Sequence, residues 1–320
     1  MKKGHLFLCL ILFFLMIFIP ALAVKGDEQP NNNILKAPIT SKSDTFLMLK
    51  KDGTVTEIYD DEYIFGVVAA EMPLSYPDEA LKAQAISSYT LACQRRQIRR
   101  GKSEELNGAD ITADSNIDQG FITRAEAKEK WGSKADEYEK KLDDIIKSVK
   151  GITVKYNGEF AETLYHCVSG GRTESAENVW GVAVPYLLPV QSVGDLLSSD
   201  YSSTVSISHS EFIEKLNSIS KKGDLTFSEN SIGNRSCSES GTVLSQTLCG
   251  EDFSGKDLRS AFGLRSANFD ISDDGTNITF TVRGYGHLVG MSQNGAKVMA
   301  EQGGTYKEIL LWYYPGCEIS

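Results

Sequence analysis

The sequence predicts an α+β fold, a single mixed domain with a largely antiparallel sheet and helices around it. Helical and strand-like segments come in runs, without the strict alternation that is typical of a parallel sheet. An early hairpin supports antiparallel pairing, because the turn-forming pair Asp52-Gly53 stands between strand-like segments at 46–49 and 55–59. No repeat or second Pro/Gly/Ser-rich linker follows, so residues 45–320 are predicted to form one domain.

Helices are predicted where apolar residues recur at spacings of three and four. The first opens at Asp60-Asp61-Glu62 and ends at Glu71, and the second starts at Pro77 and continues to about residue 96. Further helices are predicted at 134–149, 210–217, 254–262, 290–302 and 306–313. Further strands are predicted at 152–156, 159–165, 243–248 and 278–283.

Residues 1–24 contain two lysines, an apolar run from Leu6 to Ile19 and the small-residue site Ala21-Leu22-Ala23. This pattern is typical of a secretory signal peptide, and the run also approaches the ~20 residues that span a bilayer. A cleaved signal peptide and an uncleaved membrane anchor both stay open, and both export the rest of the chain. Residues 25–44 are polar, which predicts a flexible linker.

The formal net charge of −10 argues against binding to nucleic acid or to an anionic membrane surface. Five cysteines follow the leader at irregular spacing, which does not indicate a disulfide framework. The nearest pair, Cys237 and Cys249, flanks a strand that holds the two apart unless the chain folds back. We therefore expect small, mostly buried thiols.

Two kinds of segment indicate chemistry. Glu71 lies at a helix end among Ala69, Ala70 and Met72, and apolar surroundings raise the pKa of a carboxyl, as a general acid requires. A structural role in capping neighbouring amides is the alternative. Two glycine-rich turns, at 165–174 and 283–293, follow strands and bring backbone and polar side chains to a potential ligand.

These residues resemble the stage II sporulation protein D family, membrane-anchored lytic transglycosylases of endospore-forming bacteria. The matching stretches are YIFGVVAAEMP (63–73), LKAQA (81–85), YHCVSGGRTE (165–174), VWG (179–181), LRSAFGLRS (258–266), RGYGHLVGMSQNGA (283–296) and YKEILLWYYPG (306–316). The resemblance implies a glycan-binding groove with Glu71 as the catalytic residue. It also implies cleavage of the MurNAc–GlcNAc bond in peptide-stripped peptidoglycan, with a 1,6-anhydro product, during engulfment.

The resemblance also implies Lys82, eleven positions after Glu71, as one of the substrate-binding residues that we predict. The others lie on the two glycine-rich turns and offer hydrogen-bond donors or cations for the sugar and its lactyl carboxylate: Tyr165, Ser169, Arg172, Arg283, Tyr285, His287, Ser292 and Gln293. We expect both turns to converge with Glu71 on one cleft.

The resemblance also implies partners and a location. The expected partners are peptidoglycan strands, the sporulation amidase (stage II sporulation protein P) and a membrane scaffold (stage II sporulation protein M). The expected location is the cell membrane, with one N-terminal anchor and the catalytic domain between the mother-cell and forespore membranes. No cofactor is expected.

The chain departs from the family pattern in two places. Tyr89 stands where an arginine is expected, which puts one cation of the groove in doubt, with Arg95 or Arg96 as open substitutes. Some members carry a His/Cys zinc cluster before the position of Gln119, but residues 110–119 contain neither His nor Cys. Zinc needs three or four nitrogen, sulfur or oxygen ligands at defined spacing, and carboxylates alone are an unusual set, so we predict no metal.

Two other functions stay open. Relatives of this domain are described as non-catalytic enhancers of a cell-wall amidase. A hydrolase could instead use Cys167 with His166 or His287. Adjacent strand residues point to opposite faces, which leaves His287 as the base in that hypothesis.

Overall fold

The computed structural model describes residues 44–320, which belong to one compact unit. The predicted leader at 1–24 and almost all of the linker at 25–44 lie outside the described residues. Within the described part, no helix is long and apolar enough to cross a membrane.

Nine α-helices and fourteen strands are present in the described part of the chain. The helices are α1 (Asp60–Glu71), α2 (Asp78–Arg99), α3 (Arg124–Trp131), α4 (Ala135–Ser148), α5 (Ala176–Trp180), α6 (His209–Asn217), α7 (Gly255–Phe262), α8 (Gln293–Glu301) and α9 (Tyr306–Tyr313). The strands are β1 (Thr45–Leu49), β2 (Val55–Tyr59), β3 (Ile111–Thr112), β4 (Val154–Tyr156), β5 (Glu159–Phe160), β6 (Tyr165–His166), β7 (Ser202–Ser208), β8 (Ile232–Cys237), β9 (Val243–Leu248), β10 (Glu251–Phe253), β11 (Phe269–Asp273), β12 (Asn277–Arg283), β13 (Met291–Ser292) and β14 (Glu318–Ile319).

The strands form five small sheets, most of whose pairings are antiparallel. Three sheets are wholly antiparallel, in the orders β10-β9-β8, β11-β12-β7 and β14-β4-β5. The β1–β2 hairpin adds another antiparallel pair, whereas β3 joins β1, and β13 joins β6, in parallel. The predicted α+β class is confirmed. We expected one largely antiparallel sheet, whereas the antiparallel pairs are distributed over several small sheets.

Two large hydrophobic clusters form the core. The first joins α1, α2, α4, α8 and α9, and α1 is buried on most of its surface because it lies among the other helices. The second lies between residues 207 and 282, where Phe212, Phe262 and Phe280 pack against one another with ring centroids 4.7 to 6.4 Å apart. Contacts of α2 with α8 and α9 bring the end of the chain back onto its beginning.

Most predicted helices are present within a few residues of their expected bounds. The sequence did not predict α3 or α5, nor the strands β3, β7, β8, β10, β11, β13 and β14, and the strand expected at 159–165 consists of two short strands, β5 and β6. The serine-rich segment of β7 is typical of a turn, but it pairs with β12 along its whole length, from Ser202 opposite Arg283 to Ser208 opposite Asn277. This pairing joins segments that are about 70 to 80 residues apart in the chain, and it outweighs the local turn preference of the serine-rich segment.

Cys237 and Cys249 are both free thiols. The chain does fold back between them, as the β8–β9 hairpin, but Cys237 pairs opposite Val243 at one end of the hairpin. Leu248, next to Cys249, pairs opposite Ile232 at the other end. Cys93 and Cys317 are buried as expected, whereas Cys237 is exposed, because its strand is at the edge of its sheet.

Candidate active site

Glu71 is the last residue of α1, and its carboxyl is half-buried. Its Oε1 accepts a hydrogen bond of 2.6 Å from the backbone N–H of Gly120. A Cβ atom on residue 120 would lie 2.7 Å from this oxygen, closer than side-chain carbons approach. A glycine is therefore required at position 120 by the carboxyl of Glu71, which lies 49 residues earlier in the chain.

Amide and hydroxyl groups surround this carboxyl. The Gln293 side chain hydrogen-bonds to Glu71 and also donates to Oε1 of Gln84 at 3.3 Å. The Tyr165 hydroxyl donates to Oε1 of Gln119 at 2.9 Å, and Gln119 donates in turn to the Tyr63 hydroxyl at 3.3 Å. Glu71 is thus held by groups from α8 and from the segment before α3, next to a buried network that fixes both.

Burial raises the pKa of Glu71, and this is the largest effect on it. The Gly120 N–H, the Lys130 ammonium and the Gln293 side chain act in the opposite direction and only partly offset the effect of burial. Lys130 is held nearby because its Nζ donates to the carbonyls of Ala69 and Ala70, at 2.9 and 3.2 Å. No other carboxyl of the described residues contributes to the pKa of Glu71.

The two predicted glycine-rich turns lie side by side. Strand β6 pairs with β13, and two bridges, Val168 with Tyr285 and Glu174 with Val289, continue the contact. Buried Asp195 locks them together, because it accepts hydrogen bonds from the Ser169 N–H, the Ser292 hydroxyl and the Asn294 amide at 2.8 to 3.1 Å. Ser169 and Ser292 are therefore engaged within the protein, and Ser292 also caps α8.

Strand β6 separates the two predicted parts of the site. The Tyr165 side chain points to the Glu71 side, whereas the adjacent His166 points to the opposite face. The His287 ring lies 5.9 Å from that of His166 and 5.2 Å from that of Trp180. The structure thus brings Tyr165 and Gln293 to Glu71 and places His287 among a different set of side chains.

His287 is neutral and tied to the backbone. Its Nδ1 accepts from the Val289 N–H at 3.1 Å, and its ring also hydrogen-bonds to the backbone of Tyr165. Burial, with smaller contributions from His166 and Arg259, lowers the pKa of His287 to about 3. Burial also lowers the pKa of His166 to about 4.

The predicted cations are paired with local carboxylates. Lys82 pairs with Glu79 at 2.6 Å, on the face of α2 that receives the start of α9. Arg172 pairs with Glu239 at 3.2 Å, and Arg283 pairs with Asp270 at 2.5 Å. The exposed ring of Tyr285 lies under the Arg265 guanidinium, 5.0 Å from its centroid. None of these partners is Glu71, so the contacts of Lys82, Arg172, Arg283 and Tyr285 do not bring them into the Glu71 site.

Tyr89 packs against Phe46 and lines a small cavity with Asp60, at the start of α1. Glu71 ends the same helix of 12 residues, about 16 Å away along the axis at ~1.5 Å per residue. Arg95 pairs with Glu162 at 2.8 Å, and Arg96 lies over the Phe46 ring at 4.9 Å. Tyr89 and both arginines therefore serve contacts away from Glu71.

Ion pairs hold the segment at 110–119, where some family members carry a zinc cluster. Asp110 pairs with Arg100, and Asp118 accepts from Arg99 at 2.7 Å and from the Thr112 N–H at 2.9 Å. Within residues 44–320, no group of three His, Cys, Asp or Glu side chains is arranged to hold a metal ion. The ion pairs fix the segment that leads to Gly120.

Cys167 lacks the features of a catalytic nucleophile. Burial, followed by the negative charges of Asp200 and Asp195, raises the pKa of its thiol to about 11, which keeps it protonated at neutral pH. His166 points to the opposite face of β6, and both ring nitrogens of His287 are engaged. This geometry argues against the Cys/His hydrolase.

The structure also has an open cleft of about 630 Å³, and some of the residues that line it are close to Glu71 or Gln293 in the sequence. Tyr76 and Asn294 line it, five residues after Glu71 and next to Gln293 respectively, and Lys297 and Asp200 face it as well. Its polar lining suits a chain of hydroxyl-bearing sugars.

Sequence reasoning missed several residues that shape the site: Gln84, Gly120, Lys130 and Asp195. Gly120 carried a weak signal, as a glycine next to the polar Gln119, but its partner lies 49 residues away. Asp195 carried none, because its three donors come from the two distant turns.

The fold and the site define a mixed α+β protein whose candidate site centres on one half-buried glutamate. A family model described as Stage II sporulation protein matches residues 50–156. The chain is 36% identical over 268 residues to stage II sporulation protein D of Bacillus subtilis (strain 168), covering 83% of this chain and 76% of that protein. It is 35% identical over the same length to stage II sporulation protein D of Bacillus amyloliquefaciens. The chain therefore belongs to the stage II sporulation protein D family, which confirms the predicted resemblance.

A more distant similarity connects the chain with the amidase enhancer of Bacillus subtilis (strain 168). The two are 26% identical over 304 residues, which cover 80% of this chain and 40% of the enhancer. The chain thus spans less than half of that relative.

Proposed function

We propose that this sporulation-family protein is a lytic transglycosylase that cleaves the MurNAc–GlcNAc bond of peptide-stripped peptidoglycan. One observation carries the proposal: Glu71 is a half-buried carboxyl held by the Gly120 N–H, burial raises its pKa, and no second carboxyl of the described residues acts on it. Glycoside hydrolysis usually needs two carboxyl groups, whereas intramolecular transglycosylation needs one. The single half-buried acid matches that requirement, and Tyr76 and Asn294, which are near Glu71 and Gln293 in the sequence, line a cleft that could take a glycan strand.

In the proposed reaction, protonated Glu71 gives its proton to the glycosidic oxygen while the bond from that oxygen to C1 of MurNAc breaks. The resulting Glu71 carboxylate takes the proton of the C6 hydroxyl of the same sugar as O6 bonds to C1. These two steps release a GlcNAc hydroxyl and a 1,6-anhydro end, and they return Glu71 to its protonated form. Because O6 is tethered to the reacting ring, its effective concentration replaces that of an activated water.

The residues around Glu71 support both of its roles. The Gly120 N–H stabilises the carboxylate formed after the first proton transfer, through the 2.6 Å hydrogen bond to Oε1. This bond leaves Oε2 to carry the transferable proton. Gln293 hydrogen-bonds to the carboxyl, and the Tyr165–Gln119 hydrogen bond beside it holds the segment that leads to Gly120, so both help to keep Glu71 in place.

The test is a product assay. The full chain is incubated with peptide-stripped glycan, and new chain ends are identified by mass spectrometry. We expect 1,6-anhydro ends, and Glu71→Gln should lower their release about 10²- to 10⁴-fold, because the shape is kept and only the proton is lost. Glu129→Gln, an exposed glutamate on α3, is the matched control and should retain activity. Hydrated reducing ends, or normal turnover by Glu71→Gln, would refute the mechanism.

The similarity to the amidase enhancer favours a second candidate, a non-catalytic enhancer of an amidase. In that case the chain would accelerate a purified cell-wall amidase, and Glu71→Gln would accelerate it equally well. If the chain is instead a lytic transglycosylase, Glu71→Gln should be less active than the wild type in every assay that depends on glycan cleavage.

The proposed substrate suggests the setting and the partners. An amidase must act first, because the glycan has to lose its stem peptides, and stage II sporulation protein P is the proposed supplier. A membrane anchor within residues 1–24 and the scaffold stage II sporulation protein M would hold the domain between the mother-cell and forespore membranes. Intact peptidoglycan should yield anhydro ends only after the amidase is added.

A further inference from the structure

A second cavity lies beside the His287 turn, with a volume of about 140 Å³. It is enclosed by α5, the start of α7 and the residues around His287. The polar or charged side chains that line it are Asn178, Thr242, Ser254, Lys256, Arg259 and His287. Glu71 is not among its lining residues.

The lining is cationic although the chain carries a net charge of −10. Lys256 and Arg259 contribute two positive charges, and neither forms an ion pair with a carboxylate of the described residues, in contrast to Lys82, Arg172 and Arg283. Arg259 is partly buried, and burial lowers the pKa of its guanidinium. Its Nε donates to the Leu264 carbonyl at 3.3 Å, which leaves its terminal nitrogens for a ligand. A partly buried cation without a counter-ion is costly, and an anion would remove that cost.

Two further groups in the cavity are suited to an anion. Thr242 is only 5% exposed, and its Oγ1 has no hydrogen-bond partner among the described residues. The N-terminus of α7 opens at Ser254 and Gly255, which also line the cavity; Ser254 Oγ accepts from the Asp257 N–H at 3.0 Å, which leaves the first N–H groups of the helix for an anion. The nearest acidic side chains already have donors, since Asp257 accepts from the Ser254 hydroxyl at 2.8 Å and Glu174 from the Asn178 amide at 2.9 Å.

The size of the cavity limits the anion. A cavity of ~150 Å³ admits a ligand of about six non-hydrogen atoms, so this space suits a small anionic group and not a whole N-acetylated sugar. A lactyl group has five beyond its ether oxygen, namely a carboxylate, a methine and a methyl. Val243 and Leu288 give the lining an apolar part for the methyl. Exposed rings of Trp180 and Tyr285 stand nearby and offer faces on which a sugar can pack.

We propose that this cavity binds the lactyl carboxylate of a MurNAc residue in a stripped glycan strand, away from the bond that Glu71 cuts. The inference rests on the proposed function for the source of the carboxylate. In intact peptidoglycan this group is an amide that continues into the stem peptide, so it has no charge for the two cations to bind and carries more atoms than the cavity holds. The cavity thereby selects peptide-free glycan.

The test is calorimetric binding to the full chain, with Glu71→Gln as background so that no cleavage occurs. The probes are N-acetylmuramic acid, N-acetylglucosamine, the methylamide of N-acetylmuramic acid and inorganic phosphate. We expect N-acetylmuramic acid to bind at least about tenfold more tightly than the other three. Equal binding of either uncharged sugar would overturn the proposal, and so would phosphate binding as tightly as N-acetylmuramic acid.

Variants locate the site. Lys256→Gln, at an exposed position, and Arg259→Met, which keeps the length of the side chain, should each weaken N-acetylmuramic acid about fivefold or more. Lys215→Gln on α6 removes the same charge elsewhere and should change nothing. If Lys256→Gln folds normally and binds like the parent, the cavity is not the site. Because binding requires no turnover, this outcome is independent of whether Glu71 cleaves glycan.

Discussion

At the scale of the residue, the position of Glu71 depends on its neighbours more than on its own helix. The helix end supplies the carboxyl, the segment before α3 supplies the Gly120 N–H, and α8 supplies Gln293. Burial and these donors have opposite effects on the pKa, and burial prevails. The residue is therefore biased towards its protonated form compared with a free glutamate, which sets the pH at which a general acid works.

The pH dependence follows from this sign. The acid must be protonated, so activity should be present below the raised pKa of Glu71 and should fall as the pH rises through it. Lys130 favours the carboxylate, so Lys130→Met should raise that pKa and move the alkaline limb of the kcat/KM profile to higher pH. Lys140→Met removes an exposed lysine of α4 and should leave the profile in place. An alkaline limb that Lys130→Met leaves unmoved, or moves to lower pH, would contradict this account.

Gly120→Ala tests the contact with the carboxyl. The added Cβ would meet Oε1 of Glu71 at 2.7 Å, so the carboxyl must move. Since displacements of about 1 Å in a catalytic group cost on the order of 10²-fold in rate, we expect a loss of that size. Ser115→Ala, in the same segment and exposed, should retain activity. Comparable melting temperatures for the two variants would show that the loss is local.

At the scale of the element, the segment from residue 110 to residue 120 is held by charge pairs. The Asp118 carboxylate is almost fully buried against Arg99 and also accepts the Thr112 N–H. The segment ends at Gly120, whose N–H donates to Glu71, so the contacts that hold Asp118 also help to keep this hydrogen bond in place.

Asp118→Asn should release this anchoring, because it leaves Arg99 without its charge partner. Breaking a buried pair costs about 3–5 kcal/mol of unfolding free energy, and turnover should fall as Gly120 moves. Asp114→Asn keeps the oxygen that accepts the Asn116 N–H and is the control. Urea unfolding and the product assay measure the two effects. Since ion pairs hold the segment, EDTA should leave wild-type activity unchanged, and a loss would show that a metal is needed.

At the scale of the whole molecule, one compact unit contains two hydrophobic clusters. The cluster with Glu71 is mainly helical, and the cluster with the cationic cavity nearby is built on β7, β11 and β12. The paired glycine-rich turns and Asp195 lie where the chain passes from one to the other.

Phe280→Ala should test whether the two clusters unfold together. Phe280 is fully buried against Phe262 and Phe269, so its truncation should cost about 3–5 kcal/mol. If the unit is cooperative, amide hydrogens of α2 and of β12 should lose the same protection. Thr279→Ala, on the other face of the same strand, should have a small effect. Loss of protection in β12 alone would show two independent units.

The sequence predicts the fold class, most helices, the family and Glu71 as a candidate acid, because these depend on periodicity, turn residues and contiguous motifs. It could not determine β7 or Gly120, since their partners lie far along the chain. It also could not place the cations, because an arginine in a motif does not show whether a carboxylate lies beside it. Only the tertiary structure decided that Arg172 and Arg283 are paired whereas Arg259 faces a cavity, because side chains meet across elements that only folding brings together.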